Sequence, residues 1–273
     1  MALAARRVER LERLAAELRA GGRRAFAVAC DVTVDGDLER AAARTREALG
    51  RIDVVVANAG FSVSGPLESL GLGDYRGQFE TNVFGVLRTV YATLDDLKKA
   101  RGRLVILGSV SGHIGLPGSS AYAMSKFAVR GLAESLGHEL APHGVAVTLV
   151  SPGLVESEIR QVDNRGVWHP EPPAPLPRAL VMPTAAAARQ IVRAVGRRRR
   201  EIVVTARLGD STLRDPWPRR GAAGDVLDVR ERGFAEELVS LDSRELIDRS
   251  AAPFLQTEPG PQLTQHFRRS LIK

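Results

Sequence analysis

Ile52-Asp53-Val54-Val55-Val56-Ala57-Asn58-Ala59-Gly60 is a continuous apolar run that ends abruptly in small residues and one amide. A short apolar run without alternation reads as a strand buried on both faces. Working towards the N-terminus, Asp35 or Asp37 starts a helix to about residue 48, and Gly50 closes it. Before that, residues 25–30 form a strand that ends at Asp31. Residues 7–20 form an amphipathic helix, with Val8, Leu11, Leu14 and Leu18 on one face and Gly21-Gly22 as its stop. Towards the C-terminus the spacing predicts a long helix over 73–99, striped by Phe79, Val83, Leu87, Val90 and Leu94. Strand 104–107, helix 120–142 and strand 145–150 follow, the last closing on Ser151-Pro152-Gly153. Residues 162–183 are proline-rich and aperiodic, a long connection before helix 184–196 and strand 201–205. Strands alternating with helices predict an α/β fold: a doubly wound, mostly parallel sheet with helices on both faces.

In such folds ligands bind beyond the carboxyl ends of the strands. Asp31, Asn58, Ser109 and Ser151-Pro152-Gly153 all terminate strands. After residue 205 the alternation stops, which divides the chain into a core, 1–205, and a variable C-terminal extension, 206–273. The extension holds eleven Lys/Arg and eleven Asp/Glu, so the net charge of +7 lies wholly in the core. The basic run Arg197 to Arg200 reads as a solvated helix end, and without interleaved aromatics it does not suggest nucleic-acid binding. Cys30 is the single cysteine. That excludes an intramolecular disulfide and fits a reducing, cytoplasmic setting. The apolar start Met1 to Ala5 is too short to span a membrane, and its order is wrong for a secretory signal. The five histidines make no metal-ligand pattern with Cys30, so no metal is expected.

Tyr122 and Lys126 stand one helical turn apart, on one face of the 120–142 helix. Taken alone, that spacing reads as a packed aromatic and a solvated helix lysine. Ser109, however, closes the preceding strand, so a hydroxyl, a phenol and an ammonium can converge at one sheet edge. That set serves hydride transfer at a carbonyl: Ser109 holds the oxygen and Tyr122 exchanges the proton. A free phenol titrates near pH ~10, so Lys126 is expected to stabilise the phenolate. Ser109 lacks the Gly-x-Ser-x-Gly elbow of hydrolases.

The motifs Asp31-Val32, Ala57-Asn58-Ala59-Gly60, Thr81-Asn82-Val83-Phe84-Gly85, Gly108-Ser109-Val110-Ser111-Gly112, Tyr122-Ala123-Met124-Ser125-Lys126 and Ser151-Pro152-Gly153-Leu154-Val155 occur in that order. Together they resemble the classical short-chain dehydrogenase/reductase family over roughly residues 3–205. The resemblance implies a Rossmann-like fold and hydride transfer between NADP(H) and a carbonyl or secondary alcohol. It makes Asn82, Ser109, Tyr122 and Lys126 the catalytic tetrad, with Asn82 bending its helix and Lys126 also reaching the nicotinamide ribose. It places Asp31 and Val32 at the adenine and Asn58, Ala59 and Gly60 against the cofactor. Pro152, Gly153, Val155 and Ser157 would surround the carboxamide. The substrate is expected to be a small, apolar carbonyl or alcohol covered by 154–183, whose Trp168, Leu176, Leu180 and Val181 suit an apolar ligand surface and the packing of the lid itself equally well. His113 could border that pocket. The helices 73–99 and 120–142 match the family's subunit contact and imply a homodimer or homotetramer.

Where the family carries an acidic residue after its second strand to favour NAD, this chain has Ala5-Arg6-Arg7. A missing carboxylate and added guanidiniums suit the 2′-phosphate, so NADP is favoured and NAD is the alternative. The family begins with a strand and a Thr-Gly-x-x-x-Gly-x-Gly loop, which have no counterpart before Leu3-Ala4-Ala5. The expectation is a fold short of a central strand, with dinucleotide bound weakly or not at all by the chain as written. Two explanations stand open. Either the true start lies upstream, or this is a shortened relative that is inactive or partner-dependent and serves an interaction role.

Overall fold

The computed structural model describes residues 1–171 and 181–205. Two parallel sheets form its centre, one two-stranded and one four-stranded. The first pairs β1 (Ala2–Ala5) with β2 (Phe26–Ala29), joined by α1 (Val8–Ala20). The second has the order β3 (Val54–Ala57), β4 (Arg103–Leu107), β5 (Ala146–Pro152), β6 (Glu201–Val204). Its connections carry α3 (Leu72–Phe79), α4 (Gly85–Ala100), α5 (Ser120–Glu139) and α6 (Thr184–Gly196), while α2 (Asp37–Leu49) leads from β2 to β3. Every pairing between the named strands is parallel, as the alternation predicts. Among the described residues β1 pairs only with β2 and β3 only with β4, so the sheet is split where the expected central strand is lacking.

Alternation along the strands sorts the core into two faces. Val55 and Ala57 lie in register with Leu104 and Ile106, and these pack with Val86, Val90 and Leu97 of α4 and Val129 and Ala133 of α5. On the opposite face Val105, Val150 and Val204 pack beneath α6 through Ala187. Val56 is in register with Val105 and therefore shares that second face, yet it is 54% exposed, and Val54 is 46% exposed. The cover supplied by α6 stops before β3. Each buried aliphatic side chain contributes roughly 1.5–3 kcal/mol, so the first face dominates the stability of the four-stranded sheet.

The two sheets are held together by helices and side chains. Arg46 of α2 pairs with Asp96 of α4 at 2.7 Å, and Arg88 of α4 donates to Asp35 and to the Val32 carbonyl. Gly85 permits this approach, because a Cβ there would lie 2.6 Å from Cγ2 of Val32.

The 73–99 helix differs from its expected form. It is interrupted by a π-helical turn, Glu80–Phe84, between α3 and α4. The extra residue rotates the downstream turns, and the buried stripe of α4 becomes Gly85, Val86, Thr89, Val90, Thr93 and Leu97. The predicted stripe residues Val83 and Leu94 flank it, partly buried. The expected 120–142 helix ends at Glu139 and continues as a 3-10 turn, Ala141–His143. Leu176, Leu180 and the 206–273 extension lie outside the described residues. No helix among the described residues is long and apolar enough to cross a membrane.

Candidate active site

β4 delivers Ser109 to the sheet edge. Gly108 passes close to β5: its amide donates to the Val150 carbonyl at 2.7 Å, and a Cβ would lie 2.9 Å from Leu149 Cδ1. Ser109 is extended, accepts from the Ser111 amide at 3.1 Å, donates to the Pro152 carbonyl at 3.5 Å, and lies beside the Tyr122 phenol. Tyr122 lies on the first turns of α5, which begins at Ser120. Burial raises its pKa, and the neighbouring Ser109 hydroxyl offsets only part of that rise.

Lys126 sits one turn further on, 6% exposed, with its ammonium donating to the Leu107 carbonyl at 2.7 Å. Its Nζ is 5.6 Å from the Tyr122 ring centroid. Burial lowers its pKa to about 8. The expected lowering of the tyrosine pKa by this lysine is therefore not what the geometry produces. The ammonium's hydrogen bond goes to a backbone carbonyl, and the loss of water around the phenol prevails.

Asn82 occupies the π-helical turn, buried. A π turn inserts one residue into the ladder and is often found at functional sites. Here it aims the amide away from solvent: Nδ2 donates to the Phe61 carbonyl and to Ser125 Oγ, both at 3.1 Å, and Oδ1 accepts from the Phe61 amide. Ser125 in turn donates to the Tyr122 carbonyl at 2.7 Å. Gln78, fully buried one turn earlier, accepts from the Val63 amide at 2.6 Å and donates to the Phe61 carbonyl at 2.9 Å. Sequence reading passed over Gln78 and Ser125. A glutamine one helical turn before Asn82 was the available signal for the former. At Gly60 a Cβ would lie 3.1 Å from Asn82 Oδ1 and 3.9 Å from Lys126 Nζ, so Gly60, Asn82, Ser109, Tyr122 and Lys126 form one neighbourhood. Asn58 and Ala59 are exposed where β3 ends.

His113 does not stand free at the pocket rim. Its Nε2 lies 3.0 Å from Ser151 Oγ and 3.2 Å from Glu201 Oε1, which ties it to β5 and β6. Pro152 and Gly153 are half-buried, with the Gly153 amide donating to the Val204 carbonyl, and Val155 bridges to Met182. Ser157 is exposed.

The second group of predicted residues gathers at the ends of β1 and β2. Asp31 accepts from the Thr33 amide and hydroxyl at 2.9 and 2.7 Å. Burial pushes its pKa up, but these bonds and nearby Arg6 outweigh that and leave it lowered. Val32 packs over Gly85. Arg6 donates to the Gly166 carbonyl, and Arg7 donates to Glu158 at 2.9 Å while its guanidinium lies 5.6 Å from the centroid of the Trp168 ring. Trp168 thus faces α1. Arg10 and Glu158 were not singled out by sequence. They meet across 148 residues as a bidentate pair, 2.7 and 2.6 Å. The same loop is anchored by reciprocal hydrogen bonds between Asn164 and the Ser64 backbone at 2.9 and 2.8 Å.

The sequence profile of the short chain dehydrogenases matches residues 1–167. Over 118 residues the chain is 45% identical to human 17-beta-hydroxysteroid dehydrogenase type 1, covering 43% of this chain and 36% of that protein. Over 110 residues it is 43% identical to human retinol dehydrogenase 8, covering 40% of this chain and 35% of that protein. The chain thus spans about a third of the length of these two relatives. Among solved structures it resembles an alcohol dehydrogenase from the archaeon Thermococcus sibiricus complexed with 5-hydroxy-NADP, with 27% identity and a TM-score of 0.64, covering 75% of this chain and 85% of that one. The parallel strand–helix units, the edge occupied by Ser109, Tyr122 and Lys126, and a profile match over residues 1–167 agree: the chain belongs to the short-chain dehydrogenase family, an oxidoreductase lineage of Rossmann-like fold.

Proposed function

We propose that the chain works as an NADP(H)-linked reductase of a small apolar carbonyl compound, or as an oxidant of the corresponding secondary alcohol. The observation that carries this reading is the gathering of Ser109, Tyr122 and buried Lys126 at one sheet edge, with Asn82 behind them. The residues present fit the nicotinamide and adenosine ends of the dinucleotide. Gly60 leaves open a space that a Cβ would close against Asn82, and Arg6 and Arg7 offer guanidiniums to a 2′-phosphate. Asp31 and Val32 would border the adenine and Asn58 and Ala59 the cofactor's flank, with Pro152, Gly153, Val155 and Ser157 around the carboxamide. NAD remains the alternative at the Arg6–Arg7 end. Bound NADP(H) supplies or accepts the hydride.

Ser109 holds the substrate oxygen. Tyr122 moves the proton, and its raised pKa keeps it protonated at neutral pH, the state a carbonyl reductase needs in a general acid. Lys126 carries positive charge below about pH 8 and would donate to the nicotinamide ribose hydroxyls. Asn82 fixes the Phe61 backbone and Ser125 beside it. The relatives named for hydroxysteroids and retinol support an apolar substrate.

The test is NADPH oxidation over a panel of steroid, retinoid and aliphatic carbonyls. Tyr122→Phe is expected to cost about 10²–10⁴ in kcat, the usual worth of a general acid; equal turnover would refute the role. The split sheet favours a second reading, in which a partner chain completes the fold and the protein serves an interaction role. That reading predicts no turnover by the chain alone. Exposed Phe84, Tyr91, Met124 and Phe127 on and beside α4 and α5 support self-association into a homodimer or homotetramer, which light scattering would check.

A further inference from the structure

Arg6, Arg7, Arg10 and Arg13 surround a surface cavity of about 770 Å³ that Glu158 and Trp168 border from the loop after β5. Arg7, the N-cap of α1, and Arg10 in its first turn lie three residues apart and so share a face. Their guanidiniums place three hydrogen bonds on the two oxygens of Glu158, at 2.9, 2.7 and 2.6 Å. Trp168 backs Arg7 from the same loop, and Arg6 holds the Gly166 carbonyl. The carboxylate belongs to a short 3-10 turn, Glu158–Gln161, that directly follows the Pro152–Ser157 stretch beside the catalytic edge. One anion therefore joins the entrance of α1 to the loop above the active site.

A clamp of two guanidiniums is matched to a bidentate anion, and a phosphomonoester brings more charge and one more acceptor oxygen than a carboxylate. We infer that Glu158 is an internal stand-in for a ligand phosphomonoester: it fills the Arg7–Arg10 clamp, and a 2′-phosphorylated adenosine must displace it, which unpins the loop 157–168. The inference rests on the NADP(H) reading and deepens it. It adds Arg10 to the phosphate-binding residues, makes Glu158 a determinant of nucleotide selectivity, and couples occupancy of the clamp to loop freedom.

The experiment is calorimetry on the full chain with adenosine 2′,5′-bisphosphate and with adenosine 5′-monophosphate, using the wild type, Glu158→Gln and Glu158→Gln/Arg10→Gln. Removing the competing carboxylate is expected to tighten the bisphosphate about fivefold, the scale of an exposed charge-pair network. The monophosphate should bind unchanged, and the double variant should lose the gain. In hydrogen exchange, the bisphosphate but not the monophosphate should speed exchange of amides 157–168 in the wild type; in Glu158→Gln those amides should be fast from the outset. If the wild type and Glu158→Gln prefer the bisphosphate by the same factor and loop exchange does not respond, the inference falls and the NADP(H) reading stands. If neither protein prefers the bisphosphate, both fall. If Glu158→Gln weakens the monophosphate instead, Glu158 is an acceptor for ribose hydroxyls, and both fall.

Discussion

Lys126 is the residue at which burial and function pull against each other. Its ammonium is taken from water and given one carbonyl partner, Leu107, and burial brings its pKa from 10.5 to about 8. Between those values the unfolded chain binds a proton that the folded chain does not, so stability rises with pH through that window. Urea denaturation from pH 7.5 to 9.5 should show a gain of a few kcal/mol at most, given about 1.4 kcal/mol per pKa unit. Lys126→Met should flatten the dependence, and an unchanged slope in that variant would assign it to another group. Ser109, Tyr122 and Lys126 were legible in the sequence because a strand end and one helical turn fix them locally. Gln78 and Glu158 were not, because their roles depend on partners brought close by folding, Phe61 and Val63 for one and Arg7 and Arg10 for the other.

At the scale of elements, helix and strand positions followed from hydrophobic period, but the π-helical turn at Glu80–Phe84 did not. One inserted residue leaves a stripe that still reads as helical while turning its second half by about 100°. That rotation brings Gly85 against Val32 and lets Asn82 face inward. Glycines on two helices should therefore respond oppositely to alanine. Gly85→Ala meets the branched Val32 side chain at 2.6 Å and should lower stability by ~1–3 kcal/mol through overpacking. Gly131→Ala, inside α5 with no neighbouring atom within 4 Å, should raise it by ~0.5–1 kcal/mol through helix propensity. Thermal melts of the two variants check both signs.

Across the whole molecule, the division into a two-stranded and a four-stranded sheet gives the loop after β5 a second duty. Through Asn164 it grips Ser64 beyond β3, and through Glu158 it grips α1 beyond β1, so it straps the two sheets across their break. The break was legible as an expected missing strand, whereas the strap joins loop positions that carry no periodic signal. Among the described residues the flanks of β1 and β3 are unpaired, which has a further consequence, for colloidal behaviour. Each offers a row of amides and carbonyls that another chain can extend, and the bare valines Val54 and Val56 beside β3 add an adhesive face. The protein should therefore form β-rich aggregates whose onset depends on concentration, followed by light scattering and thioflavin fluorescence. Val56→Lys, a charge at the strand margin, should delay that onset several-fold, while an unaltered onset would place the seed elsewhere in the chain.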